Sequence, residues 1–161
     1  MHRELDQAVV GDHLDRLFRA AWALCGSRED AEDLVQETYA RVLARPRMLR
    51  NEDDLGYLLR ALRNTFLNQR RTASRRPRTD PPPEDREFAE PRIGAQPEAA
   101  LEAKEVFAAI AALPGDFRDV IVAVDVSGLS YAEAAAALRI RQGTVMSRLY
   151  RARQQVVQRL T

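Results

Sequence analysis

Apolar residues along this chain recur every three or four positions and almost never alternate, a pattern that predicts helices rather than strands. Leu14, Leu17, Phe18, Ala21 and Leu24 form the first stripe, closed by Gly26. Ser27, with Asp30 three residues on, resembles a capping box with Asp in the usual Glu place. It opens a second helix with Ala31, Leu34, Val35, Thr38 and Val42 inward, and Pro46 stops it. A third helix is predicted from about Asp53 to Arg71. At about 100° per residue, Leu55, Leu58, Leu59, Leu62 and Phe66 share one arc, and Tyr57, Arg60, Asn64, Asn68 and Arg71 gather on the opposite side.

Past residue 100, Leu101, Val106, Ile110 and Leu113 predict a helix ending at Pro114-Gly115. A second, Asp116 to Val126, turns Phe117, Val120, Ile121 and Val124 inward and stops near Gly128. Ser130 and Glu133 form a capping box, with Leu129 placed as its hydrophobic staple. The short alanine-rich helix Tyr131 to Leu138 comes next, then a tight Arg139-Ile140-Arg141 turn and a helix from Gln142 to about Leu160 buried through Val145, Leu149, Ala152 and Val156. Ser147, Tyr150, Arg151 and Gln154 are left on its far side, with Arg148 and Arg153 on its flanks. This is helix-turn-helix spacing with a basic second helix.

Between these groups lies a polar segment holding six of the eight prolines, from Pro77 to Pro97, with Pro81-Pro82-Pro83 in sequence. Proline lacks an amide donor and the segment offers little to bury apart from Phe88 and Ile93, so it reads as a flexible linker. The expected organisation is therefore all-α, with two small helical domains at 1–72 and 98–161 joined by a linker at 73–97. A hydrophobic content of 45% fits globular protein rather than disorder. Cys25, His2 and His13 are too few soft ligands for a zinc site, and neither metal nor cofactor is expected. Cys25 reads as a small buried hydrophobe. No apolar run approaches the roughly twenty residues of a membrane span and no signal segment opens the chain, so a cytoplasmic location is expected.

The net charge of +1 conceals a strong asymmetry. Thirteen of the 25 basic residues fall within 55–79 and 138–161, and neither stretch contains an Asp or Glu. Two basic surfaces in acidic surroundings suit a polyanion, although solvated helix faces are the plain alternative. On the third helix the outer face combines guanidinium, amide and aromatic groups. Asn is a poor interior helix former, so Asn64 and Asn68 one turn apart call for a role beyond local stability. Their amides can read base edges and the neighbouring arginines can hold phosphates. Tyr57 fits either a ring stacked on an unpaired base or one packed over the helix start. The second helix presents Asp30, Asp33, Gln36 and Glu37, a face that is either solvated or suited to a partner bearing arginines.

Taken together, these segments resemble the sigma-70 family of bacterial transcription initiation factors, in its short extracytoplasmic-function class. Asp30-Ala31-Glu32-Asp33-Leu34-Val35-Gln36-Glu37-Thr38 is similar to the family's region 2.2. That resemblance implies contacts from Asp33, Gln36 and Glu37 to the β′ coiled coil of core RNA polymerase. The run from Tyr57 to Thr65 is similar to regions 2.3 and 2.4, which implies capture of the unpaired minus-ten strand by Tyr57, Arg60, Asn64, Asn68 and Arg71. Leu113-Pro114, Gly128-Leu129-Ser130-Tyr131 and the run from Gly143 to Arg148 resemble region 4. This implies minus-thirty-five recognition in duplex DNA by Thr144, Met146, Ser147, Arg148, Tyr150 and Arg151, with the polymerase β flap as a further partner. Two departures stand out: Tyr57 replaces the Trp of many members, and Met146 replaces Arg or Lys. Met146 cannot make a bidentate guanine contact, which shifts base reading toward Ser147, Arg148 and Arg151. The resemblance also implies an anti-sigma partner and no enzymatic activity. A free-standing helix-turn-helix regulator is the alternative, and it accounts for the C-terminal half alone.

Overall fold

The computed structural model describes residues 3–4, 13–44, 48–49, 54–75 and 97–161. Its elements are β1 (Arg3–Glu4), α1 (Leu14–Cys25), α2 (Arg28–Ala44), β2 (Met48–Leu49), α3 (Asp54–Arg75), α4 (Pro97–Ala111), α5 (Gly115–Ile121), a π turn (Val122–Val126), α6 (Tyr131–Leu138) and α7 (Gln142–Leu160). The all-α expectation holds for everything that packs. The two-residue strands add a short antiparallel ladder, with Arg3 opposite Leu49 and Glu4 opposite Met48. Helix α3 continues to Arg75, into the segment expected as linker, and α4 begins at its last proline. The remainder of the expected linker, with Phe88 and Ile93, lies outside the described residues.

Helix ends obey the local chemistry of the sequence. Gly26 takes the left-handed conformation (φ 73°) and donates its N–H to the Trp22 carbonyl, ending α1. A Cβ at that position would stand 3.0 Å from the Ala111 Cβ, so glycine here also permits the close approach of α4. Ser130 Oγ accepts the Glu133 amide at 3.0 Å and the Glu133 carboxylate accepts the Ser130 amide at 2.9 Å, closing the predicted capping box. At Ser27 the corresponding bond is long, 3.4 Å from the Asp30 amide. Buried Thr38 and Thr65 each donate the hydroxyl to the carbonyl one turn back, Leu34 at 2.7 Å and Ala61 at 2.8 Å.

One continuous core runs through both modules. Leu17, Leu34, Leu58 and Leu62 are fully buried among α1, α2 and α3, and Val120, Val145 and Leu149 among α5 and α7. Each such side chain contributes about 1.5–3 kcal/mol through removal from water. The modules then share a seam. Helix α1 packs against α4 and the π turn, and α3 packs against α6. Trp22 meets Phe107 at 5.1 Å between ring centroids, and the Arg118 guanidinium lies 5.0 Å above the Phe66 ring. Leu101, expected inward, is 58% exposed. The π turn, in which Ser127 N–H reaches back to the Val122 carbonyl at 3.0 Å, was not legible in the periodicity.

The contribution of the cap to α6 is measurable. Ser130→Ala should cost about 1 kcal/mol and lower the melting temperature by several degrees, while Ser130→Asp restores most of it, as read by thermal denaturation. The Glu133 carboxyl is held below its ordinary value by the Ser130 backbone and side-chain hydrogen bonds. A lowered folded-state value means the contribution is present above the unfolded value of 4.5 and is lost as pH falls further. Glu133→Gln should therefore flatten the acid limb of the stability curve.

Candidate nucleic-acid interface

Helix α3 is split along its length by the division its sequence encodes. Leu55, Leu58, Leu59, Leu62 and Phe66 are buried, and Asn64 and Arg71 are exposed on the other side. Tyr57 and Asn68 are half-buried, and Tyr57 packs against the core edge. The Asn68 carboxamide oxygen accepts from Arg71 Nη2 at 2.8 Å, which orients the amide and leaves its NH2 outward. Asn64, Asn68 and Arg71 thus form a contiguous donor-rich patch over two turns. Arg60 departs from the expectation of an outward phosphate holder. Its Nε donates to the Ala137 carbonyl at 3.1 Å and its Nη2 to the Ala136 carbonyl at 2.9 Å, both at the end of α6.

On α7, the far side named from the sequence is open. Ser147 and Arg151 are exposed, Met146 is 50% exposed and Tyr150 65%, an unusual exposure for side chains of that size. Thr144 is half-buried and its carbonyl accepts from Ser147 Oγ at 3.2 Å. Arg148, also half-buried, pairs loosely with Asp116 at 3.9 Å. Arg153 makes a two-pronged contact, Nε and Nη2 to the Asp125 carboxylate at 2.9 and 2.7 Å, and this raises its pKa further. Arg153 is therefore committed within the module, whereas Arg151, one turn beyond Arg148, is exposed.

The N-cap of α7, Arg141, is extended and makes no side-chain cap bond. The first-turn amides of α7 therefore receive no side-chain cap from Arg141. The preceding turn is set by Arg139, whose φ of 58° places a non-glycine residue in the left-handed region and lets its N–H reach the Ala135 carbonyl. That geometry fixes the angle between α6 and α7.

The acidic face of α2 is also partly engaged. Asp33 and Gln36 are exposed, but Glu37 is half-buried, ion-paired with Arg41 at 2.8 Å and hydrogen-bonded by Gln69 Nε2 of α3. Glu37 thus ties α2 to α3. Sequence reasoning missed Gln69, Arg63, Arg118, Asp119 and Asp125, because helical periodicity marks a face as polar without saying which element lies against it. Among the described residues, no group of three His, Cys, Asp or Glu could hold a metal, and no helix is long and apolar enough to cross a membrane.

Comparison with known proteins bears on both surfaces. The family model described as "Sigma-70 region 2" matches residues 9–76, and that described as "Sigma-70, region 4" matches residues 103–156. The chain is 37% identical to the ECF RNA polymerase sigma factor SigE of Mycolicibacterium smegmatis, over 92% of this chain and 58% of that protein. It therefore spans little more than half of that relative. It is 38% identical to the ECF sigma factor EcfG of Rhodopseudomonas palustris, over 83% and 72% of the two chains. Among solved structures, the sigma factor RpoE of Bartonella quintana in complex with the anti-sigma factor NepR aligns with a TM-score of 0.69 at 26% identity, over 96% of this chain and 98% of that one. CnrH in complex with the cytosolic domain of CnrY, at 23% identity and a TM-score of 0.63, supports the fold.

The contrast between Arg151 and Arg153 is testable. Arg151→Ala should weaken binding to duplex DNA severalfold and reduce the slope of log affinity against log salt by about one. Arg153→Ala should leave DNA affinity within about twofold and lower stability by at most about 1 kcal/mol, as expected for an exposed pair. Filter binding across a salt series and chemical denaturation read the two effects.

Proposed function

The chain belongs to the sigma-70 family of RNA polymerase sigma factors, in its extracytoplasmic-function class, and on that premise we propose how its helical faces divide the start of transcription. Asp33 and Gln36 of α2 dock on the β′ coiled coil of core polymerase, with Glu37 holding α2 against α3 behind them. The Asn64, Asn68 and Arg71 patch of α3 takes the unpaired minus-ten strand, with Tyr57 beside it as a stacking ring and Arg60 on phosphate. The outward face of α7, with Thr144, Met146, Ser147, Arg148, Tyr150 and Arg151, enters the major groove of the minus-thirty-five element, and the β flap supports that module. Catalysis belongs to the polymerase; this protein is not an enzyme and works in the cytoplasm. An anti-sigma partner accords with the complex formed by the Bartonella quintana relative.

The observation that carries this reading is the presence, in family order on one chain, of two modules that each expose a basic helix. A free-standing regulator would leave residues 9–76 without a role. Energetics are compatible with strand capture. Unstacking a base costs a few kcal/mol, and stacking plus edge contacts returns a similar amount, so the patch on α3 can tip an open state without fuel. Geometry adds a requirement. Elements about 25 base pairs apart are separated by about 85 Å at roughly 3.4 Å per pair, whereas a compact chain of this length is only about 40 Å across. The modules must therefore part to engage both elements. The 21 residues from 76 to 96 can reach about 70 Å when extended, enough to keep both readers on one tether.

Asn64→Ala with Asn68→Ala should preserve co-purification with core polymerase and reduce permanganate reactivity of promoter thymines by about tenfold or more. Asp33→Arg should do the reverse, lowering retention on core polymerase. Unchanged permanganate patterns in the double variant would remove α3 from strand capture.

A further inference from the structure

We propose that Arg60 serves two acceptors in turn, the carbonyl end of α6 while the modules are closed and a strand phosphate once they part. Binding of single-stranded DNA and separation of the modules are then one coupled equilibrium. The coupling rests on the strand-capture role of α3.

Arg60, Arg63 and Phe66 stand at successive three-residue steps on α3, and all three face the C-terminal module. Arg60 covers the Ala136 and Ala137 carbonyls in the last turn of α6, where the helix has no amides of its own to offer and carries partial negative charge. Arg63 Nε meets Asp119 Oδ2 of α5 at 2.8 Å, with the carboxylate side chain only 13% exposed. Phe66 lies under the Arg118 guanidinium. Leu24, Leu59, Leu62, Val122, Ala123 and Leu138 line the same seam around Arg60, Arg63 and Asp119.

Arg60 uses Nε and Nη2, the edge that would clasp two oxygens of a phosphate. It cannot give that edge to α6 and to DNA together. Asn64 and Arg71 remain exposed in the closed form, so a strand can land there first and then compete for Arg60. The closed population also lowers apparent DNA affinity by the fraction of molecules that must open. Asp119 is not among the residues assigned to DNA or polymerase, yet it biases this equilibrium through Arg63.

The test uses the full chain with Cys25→Ala and cysteines placed at exposed Arg19 and Gln158 for a donor and acceptor dye. Energy transfer should be high in the free protein. It should fall by at least half in Asp119→Arg, and return in the charge swap Arg63→Asp with Asp119→Arg. A fluorescent single-stranded deoxyoligonucleotide should lower transfer in the parent protein and bind Asp119→Ala about fivefold more tightly. Transfer unchanged in Asp119→Arg, no recovery in the swap, no oligonucleotide binding, or binding without a change in transfer would each overturn the coupling. Transcription by sigma-free core polymerase with the parent protein is measured in parallel. Its absence counts against the proposed function, whereas the charge-swap arm reads the seam independently of DNA.

Discussion

A short acidic segment stands between two basic helices, and the balance of charge across it governs how the molecule holds together. Helix α3 after Asp54, and helix α7 throughout, contain no carboxylate. Between them, α5 and the π turn supply Asp116, Asp119 and Asp125, which face Arg148, Arg63 and Arg153 respectively. Two of these pairs organise the C-terminal module from within and the middle one crosses to the other module. Asp119, ahead of the π turn, meets α3, and Asp125, within it, meets α7.

Magnitudes decide what each contact does at the seam. Exposed ion pairs contribute about 0–1 kcal/mol, and the Arg63–Asp119 pair is only partly shielded. Closure therefore depends mainly on apolar area: Trp22 on Phe107, the leucines of α1 and α3, and the alanine face that lets α6 approach. The cost is concentrated in Arg118, which is 5% exposed. Burial lowers its pKa, and nearby Arg70 and Arg63 act in the same direction against Asp119. Its compensation is the Phe66 ring and a long bond to the Ala111 carbonyl at 3.5 Å. Cys25 adds no counter-charge, because burial, first, and then Asp30 push its thiol up to about 12. Apolar contacts supply the strength of the seam and the arginines supply its sensitivity to anions and salt.

Local rules carried most of the fold. Ser130 and Glu133 located α6 to the residue, and the stripe of Val145, Leu149, Ala152 and Val156 located α7 and its outward face. The stripe of α3 correctly separated buried leucines from Asn64 and Arg71. The features that escaped were tertiary. A helical wheel marks Arg60 and Glu37 as outward, but the first is met by α6 and the second by Gln69, partners 76 and 32 positions away in sequence. Leu101 satisfied the spacing of a buried position and lies exposed because α4 meets α1 through Phe107 and Ala111 instead. The π turn left no trace in composition, since valine and alanine fill α and π geometry alike. Tyr57 was readable both ways, and it lies half-buried at the edge of the core.

Coupling Arg60 to the seam also bears on selectivity. Affinity for nucleic acid irrespective of sequence rises steeply with the number of phosphates neutralised, and each additional contact adds to the salt slope. A chain with thirteen basic residues in two carboxylate-free stretches would bind any duplex if all were presented on one surface. Here several face acceptors within the protein: Arg60 a helix end, Arg63 and Arg153 aspartates, and Arg148, loosely, a third. Part of the charge is offset locally without being removed. Only a polyanion that displaces several of these internal acceptors together recovers the full contact set. A near-neutral total and strong local charge are thus compatible, because several of the arginines have weak partners within the protein that a polyanion can displace.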